Sequence, residues 1–337
     1  MTMTNRQILF VSRPEKTPVE SNFRLHEGTI DEPADGQVLI RSHYLSVDPY
    51  LRGLMNENAG YFTPARLGEV MQAGAVGKVV ASRNPNFKEG DAVVGHWGWQ
   101  EYALSDGSDL MPFDSSLGPL STALGVLGMP GMTAYFGLLE IGRPKPDETV
   151  FVSGAAGAVG SLVGQIARIQ GCRVAGSAGS DEKVAYLLDE LGFDAAFNYR
   201  DVSDYAAVVR VACPQGVDVY FDNTGGPVTD AVFPQLNTGA RVVVCGQIDQ
   251  YNDPERAQGP RLLWHLIMKQ ARAEGFLVFQ FLDRYPEGQR QMAAWISEGR
   301  ISWRETVVDG IENTPKAFIG LFIGANVGKQ LVRLVNE

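Results

Sequence analysis

Residues 149–179, TVFVSGAAGAVGSLVGQIARIQGCRVAGSAG, decide how the rest of the chain is read. The short apolar run 149–153 has the composition of a strand buried on both faces, and it breaks into small residues that open directly into a helix pattern. Ala155-Ala156-Gly157-Ala158-Val159-Gly160 keeps the spacing of a dinucleotide fingerprint, with Ala155 where the first glycine usually stands. Each small residue has a mechanical task in that reading. Gly157 lets the backbone approach a pyrophosphate, Gly160 lets the helix pack closely on the strand, and the N–H groups of the first helical turn, from Ala158 and Val159 onward, point at the anion. Val159, Leu162, Val163, Ile166 and Ile169 recur at helical spacing, Gly171 ends the helix, and a second strand is expected over 172–175.

The end of that second strand selects the cofactor. An NAD site places a carboxylate there to accept from the ribose 2′-OH, whereas a 2′-phosphate needs cations and donors. Here the strand runs out into Gly176-Ser177-Ala178-Gly179-Ser180, without an acid. Asp181 and Glu182 lie about 20 residues past the fingerprint, but with Ser180 as N-cap they fall in the first turn of a helix ending near Leu191, where the dipole favours carboxylates. Lys183, in the same turn, can reach back to a phosphate. The pattern predicts NADPH rather than NADH.

Strands and helices alternate from about residue 129 to 299, with strand candidates at 149–153, 172–175, 195–198, 217–221, 241–245 and 275–279. That alternation predicts an α/β fold, a doubly wound parallel sheet. Residues 1–128 hold short β-rich runs at 7–11, 37–45, 77–81 and 92–94, separated by turn signals, and predict a closed or rolled β domain. The last segment, 300–337, returns to extended runs at 306–308 and 330–335 and is expected to complete that first domain. The uncharged stretch 115–139 is long enough to cross a bilayer, but five glycines and two prolines interrupt it. It reads as a buried, broken helical connection between domains.

Composition is that of a soluble enzyme. The chain has 337 residues, 45% of them hydrophobic, and a net charge of -10 with no basic run, which disfavours nucleic acid or an anionic membrane as partner. Cys172, Cys213 and Cys245 are widely separated and lie in or near apolar segments, which predicts free thiols in a reducing, cytoplasmic compartment. The amino terminus, MTMTNRQILFVSRPE, lacks the layout of a signal peptide. Catalytic zinc needs three protein ligands and structural zinc four. Three scattered cysteines and His26, His43, His96 and His265 show no such spacing, so no metal site is expected.

Taken in order, DPYLRG at 48–53, GMTAY at 131–135, the fingerprint at 155–160, GSDEK at 179–183, FNY at 197–199, YFDNTGG at 220–226, CGQI at 245–248 and GANVGK at 324–329 carry a resemblance across nearly the whole chain. It resembles the zinc-independent alkenal and prostaglandin double-bond reductases of the medium-chain dehydrogenase/reductase superfamily. The resemblance implies a GroES-like β domain split around a Rossmann domain. It also implies NADPH as hydride donor and reduction of the carbon–carbon double bond of α,β-unsaturated ketones or aldehydes. It further implies Gly157, Ala158, Val159 and Gly160 at the pyrophosphate, with Lys183 and Tyr199 near the 2′-phosphate. Asn223, Cys245, Tyr251, Phe276, Leu277, Val278 and Asn326 are implied along the cofactor. In any sheet, 276–278 would also serve as core strand residues. Where zinc-dependent relatives carry Gly-His-Glu, this chain has Leu67-Gly68-Glu69.

Without a metal to polarise the carbonyl, hydrogen-bond donors must meet the charge that develops on its oxygen as hydride reaches the β-carbon and before the α-carbon is protonated. Tyr50, behind the rigid Asp48-Pro49, and Tyr251, heading a Gly/Pro-containing loop, are the candidate donors or proton source; Tyr61 and Phe62 are candidate pocket walls. Many relatives carry a tyrosine proposed to hold the enolate where this chain has Met268, so Tyr50, Tyr251, or the cofactor ribose and water take that part. A quinone reductase and a non-catalytic NADPH-binding protein remain as alternatives on the same scaffold. Strands late in the α/β segment offer an edge for homodimerisation.

Overall fold

The computed structural model describes residues 3–58, 63–253, 255 and 258–335. Tyr61 and Phe62 lie outside the described residues. The chain divides into two compact units, residues 1–125 with 305–337, and residues 126–304; the sequence expectation draws these breaks at 128/129 and 299/300.

The first unit opens with β1 (Met3–Phe10), β2 (Phe23–Ile30) and β3 (Val38–Ser46), followed by a single helical turn α1 (Leu51–Leu54). It continues with β4 (Ala75–Ser82), β5 (Ala92–Gly95), β6 (Tyr102–Ser105) and β7 (Met111–Pro112). β2 is missing from the sequence expectation because most of its residues are exposed, on both faces, leaving no apolar alternation to detect.

The uncharged stretch is a broken helical segment, as its glycines and prolines require: a 3₁₀ turn at Leu120–Leu124, α2 (Met129–Phe136) and a π-helical turn at Gly137–Gly142. No helix among the described residues is long and apolar enough to cross a membrane. The second unit then alternates β8 (Thr149–Val152), α3 (Gly160–Ile169), β9 (Arg173–Ala178), α4 (Asp181–Ala185), β10 (Ala195–Asn198), α5 (Tyr205–Ala212), β11 (Val217–Asp222), α6 (Gly226–Val232), β12 (Leu236–Val244), α7 (Leu263–Lys269), β13 (Arg272–Gly275) and α8 (Tyr285–Ser297). The six strands are parallel throughout, in the order β10-β9-β8-β11-β12-β13. Strand order therefore reverses between β8 and β11, the switch point of a Rossmann sheet, whose ligands gather outside the carboxyl ends of the strands. Phe151, Phe197 and Tyr220 stack in the core on one side of it.

One strand lies elsewhere than expected. In place of a strand at 275–279, the sixth strand is Arg272–Gly275, and Val278–Arg284 is a 3₁₀ helix. Periodicity favours the apolar run Phe276-Leu277-Val278-Phe279, but the strand is an edge strand with all four residues exposed, so burial does not mark it.

The chain returns to the first unit with β14 (Glu305–Asp309), α9 (Thr314–Leu321) and β15 (Lys329–Arg333). The sheet there runs β14-β15-β3-β4-β5-β7, with β6 also on β3. The first half of β3 pairs with β6 and its second half with β15, and its register against β4 shifts twice. Such shifts coil a strand, and here they roll the sheet into the GroES-like β architecture. Phe23, Trp99 and Phe318 pack as an aromatic triangle with ring centroids 5.6–6.1 Å apart at its core.

Candidate cofactor and active site

The fingerprint turn lies at the end of β8. Ala155 N–H donates to Ser177 O at 2.9 Å, tying the turn to β9, and Gly157 N–H donates to Gly154 O at 3.1 Å. Ser161 N–H returns to Gly157 O, and Leu162 and Val163 N–H to Val159 O. The edge left to face a pyrophosphate is thereby Ala158–Gly160 at the start of α3. A Cβ on Gly160 would stand 2.5 Å from Gly154 O and 2.8 Å from Ala155 Cα, so glycine there serves the protein's own packing, against the turn rather than the strand proper. A Cβ on Gly157 would meet only Gly154 O, at 3.3 Å. Apart from that one tight contact nothing else lies within 4 Å of it, which leaves room on the other sides for a ligand. The alanine at 155 is accommodated because position 176 is glycine, where a Cβ would come 2.7 Å from Ala155 Cβ. Past α3, Gly171 and Cys172 N–H return to Arg168 and Ala167 carbonyls, the paired bonds of a Schellman stop.

β9 continues to Ala178, so Gly176, Ser177 and Ala178 are buried strand residues rather than a loop. Ser180 caps α4, its Oγ accepting from Lys183 N–H at 3.3 Å, and Asp181 Oδ1 accepts from Asn198 Nδ2 at 3.0 Å. Asp181 is thus engaged in joining α4 to the end of β10. Lys183 is half-buried; burial first, and the charge of Arg200 second, hold its ammonium below the ordinary lysine pKa. The Tyr199 hydroxyl lies against the turn after β9, since a Cβ on Gly179 would come within 2.8 Å of it, and the Arg200 guanidinium stands 6.0 Å from the Tyr199 ring. Lys183, Tyr199 and Arg200 therefore gather at the carboxyl ends of β9 and β10. Arg200 escapes a reading of the sequence, where its only signal is the place next to Tyr199.

At the other end of the same edge, Asn223 follows β11. Its N–H donates to Ser153 Oγ at 2.9 Å and its Nδ2 to Ser153 O at 2.8 Å, which fixes the side chain across the β8/β11 switch point. Asp222, also missed by sequence reasoning, is 1% exposed and organises this corner. Its Oδ1 accepts from Ser153 Oγ, Tyr220 Oη and the N–H groups of Thr224 and Gly225, and its Oδ2 from Thr229 Oγ1 and Gln247 Nε2, at 2.8–3.1 Å. Cys245 and Gly246 N–H both donate to Asp222 O. Cys245 is partly exposed as a residue, but its sulfur is enclosed, and burial pushes the thiol up to about 12, so it stays protonated. The 247–249 loop lies directly on Gly225 and Gly226, both at positive φ, where Cβ atoms would stand 2.3 and 2.2 Å from Gln247 Oε1 and Asp249 Oδ2. Beyond it, the Tyr251 phenol folds back, accepting from Gln247 N–H at 3.4 Å, and sits where a Gly246 Cβ would be 3.3 Å away. Burial is the main cause that raises its pKa, so it remains a neutral donor.

Not every expected residue turns toward this edge. Phe276 points inward, its ring within 2.5 Å of where a Gly137 Cβ would stand, and Val278 is buried; Leu277 is exposed. As they lie past β13, they are not core strand residues, and Phe276 and Leu277 occupy the connection at its carboxyl end. Met268 is an exposed residue of α7. Tyr50 and Asn326 belong to the first unit. Tyr50 precedes α1 and packs against that unit's core, and Asn326 Nδ2 donates to Gly328 O at 2.8 Å, closing the turn before β15.

The chain is similar to known proteins along nearly its whole length. Residues 6–113 match the family described as N-terminal domain of oxidoreductase, and residues 158–298 match zinc-binding dehydrogenase. Among the described residues no three His, Cys, Asp or Glu are grouped so that they could hold a metal ion. The NADPH-dependent curcumin reductase of Escherichia coli (strain K12) is 45% identical over 99% of this chain and 98% of its own. The 2-alkenal reductase (NADP(+)-dependent) of Nicotiana tabacum is 41% identical over 99% of each chain. The crystal structure of CurA from Vibrio vulnificus in complex with NADPH superposes with a TM-score of 0.94, at 45% identity, over 98% of this chain and 100% of that one. The chain belongs to the medium-chain dehydrogenase/reductase family of alkenal and prostaglandin double-bond reductases.

Proposed function

We propose that this protein reduces the carbon–carbon double bond of α,β-unsaturated ketones and aldehydes, with NADPH as its reductant. The observation that carries the reading is the content of one sheet edge. Cations and a phenol gather at the β9 and β10 ends, an open turn succeeds β8, and a fixed amide and a neutral phenol lie beyond β11 and β12. NADPH, when bound, supplies the hydride.

The chain's own residues divide the remaining work. Lys183, Tyr199 and Arg200 hold the 2′-phosphate, which a carboxylate at the strand end would repel, and the backbone at Gly157, Ala158, Val159 and Gly160 meets the pyrophosphate. Asn223 and Cys245 line the nicotinamide half together with the backbone of the Phe276-Leu277-Val278 connection, and the resemblance implies a cofactor contact for Asn326. Cys245 offers a protonated thiol, hence shape rather than a nucleophile. Tyr251 or Tyr50 donates to the substrate carbonyl as charge moves onto its oxygen, such a donor being worth about 3 to 4 kcal/mol in the transition state. Protonation at the α-carbon then draws on one of these phenols or on water.

A panel of a 2-alkenal, a cyclic enone and a quinone, followed at the nicotinamide absorbance with NADPH and with NADH, tests the reading. Expected is NADPH-dependent turnover of the first two, reduced about 100- to 1000-fold in Tyr251→Phe or Tyr50→Phe, the loss of one donor. Turnover of the quinone alone would move the protein to the quinone reductases, and unchanged enone turnover in both variants would remove the tyrosines from the mechanism.

Three free cysteines support a cytoplasmic site of action. A second copy of the chain is the partner that the exposed edge strand β13 suits best. Beside it α7 exposes Leu263, Trp264, Ile267 and Met268 at 58–75%, so apolar surface and unpaired strand edge coincide.

A further inference from the structure

The ladder between β3 and β15 ends at the Ser46–Leu331 pair, and Val47 N–H still reaches Gln330 O at 3.4 Å. One step further, the antiparallel register would bring Asp48 opposite Lys329. Pro49 comes next and stops the strand. At that point side chains take over from the backbone. Lys329 Nζ donates to Asp48 Oδ1 at 2.7 Å and to Val47 O at 2.9 Å, and Ser46 Oγ donates to Asp48 Oδ2. Lys329 is 3% and Asp48 6% exposed, so both charges are withdrawn from water.

A buried ion pair is a poor route to stability, because desolvation of the two charges offsets most of their attraction and an apolar pair of similar volume serves as well or better. What it supplies is direction. An ammonium with a carboxylate and a carbonyl as acceptors has one satisfactory arrangement, whereas apolar side chains have several. Its two ends carry chemistry. Two residues after Asp48 comes Tyr50, whose turn is held on its far side by Arg52, bonded to Lys16 O and Asn56 Oδ1. Three residues before Lys329 comes Asn326, bonded to Gly328 O.

We propose that the Lys329–Asp48 pair is a positioning device that locks the Tyr50 turn to the Asn326 turn, so that donor and amide keep one mutual register. This rests on the function proposed above for the roles of those two residues. With both charges buried, the pair acts through Tyr50 and Asn326.

The test uses the full chain with Asp48→Asn and Lys329→Met combined, since either change alone strands a buried charge. The double variant is expected to unfold near the parent temperature, to bind NADPH about tenfold more weakly and to turn over an enone about tenfold more slowly, the scale of a small misplacement. Adding Asn326→Ala should weaken NADPH binding, and adding Tyr50→Phe should slow turnover, by clearly less than the same change does in the parent, because each pair of changes acts on the same contact. Lys329→Arg, which restores a cation with donors for both oxygens, should regain part of each loss. Parent-like affinity and rate in the double variant, losses that multiply fully, or an arginine variant as impaired as the double would each overturn the proposal. A parent protein that binds NADPH but reduces no enone would refute the substrate reading alone, and the binding arm would still decide the positioning role.

Discussion

Gly157 and Gly160 look alike in the fingerprint and differ in space. At 160 a methyl group would press on a backbone carbonyl 2.5 Å away; at 157 it would stand 3.3 Å from the nearest atom. Gly160→Ala is therefore expected to cost about 1 to 3 kcal/mol in urea unfolding. Gly157→Ala should be destabilised clearly less and lose NADPH affinity instead, and equal destabilisation in both would contradict the distinction. Lys183 gives a pH dependence with a defined sign. Burial and Arg200 lower its pKa, so its proton leaves at a lower pH than from an exposed lysine. The cation is the form that binds a 2′-phosphate. NADPH affinity should then be full below that lowered pKa and fall as pH rises through it, while NADH affinity stays level. Lys183→Met should abolish the slope and cost about 1.5 to 3 kcal/mol of NADPH binding; fluorescence titration across the alkaline range decides, and a slope that survives the substitution would place the titrating group elsewhere.

At the scale of elements, the site corner depends on the end of β11. Asp222 gathers donors from the turns after β8 and β11, α6 and the loop after β12 on two oxygen atoms. Asp222→Ala would leave several buried donors without acceptors, and at about 1 to 3 kcal/mol each the loss in unfolding free energy should reach at least about 3 kcal/mol. Asp222→Asn should cost less, because the Thr229 hydroxyl and the Gln247 amide can reverse direction. A loss as large in asparagine as in alanine would show that charge, not hydrogen bonding, holds the corner. This residue is not visible as a hub in YFDNTGG, since half of its side-chain partners lie outside the motif, at 153, 229 and 247. β8, β9, β11 and the second half of β12 were legible because burial on both faces favours near-continuous runs of apolar and small residues. β2 and β13 were not, because each is an exposed element whose pairing comes from its neighbour's backbone rather than from its own side chains.

For the whole molecule, the proposed dimer makes the strongest demand. A chain of net charge -10 that leaves Trp264, Ile267 and Met268 exposed beside an unpaired strand is expected to sediment as a dimer. Ile267→Asp combined with Trp264→Glu should give a folded monomer, and unchanged sedimentation of that variant would move the interface elsewhere. The sequence by itself determined the alternating α/β order, the dinucleotide turn, the acid-free strand end that favours NADPH, and the return of the last segment to the first unit. Each of these is written in local patterns, period, spacing and the side chains of adjacent residues. Only the tertiary structure decided that Arg200 stands beside Lys183, that Asp222 collects the corner, that Phe276 turns inward, and that Lys329 meets Asp48. Those are contacts between residues far apart in the chain, and their energies depend on distance and burial, which no local pattern records.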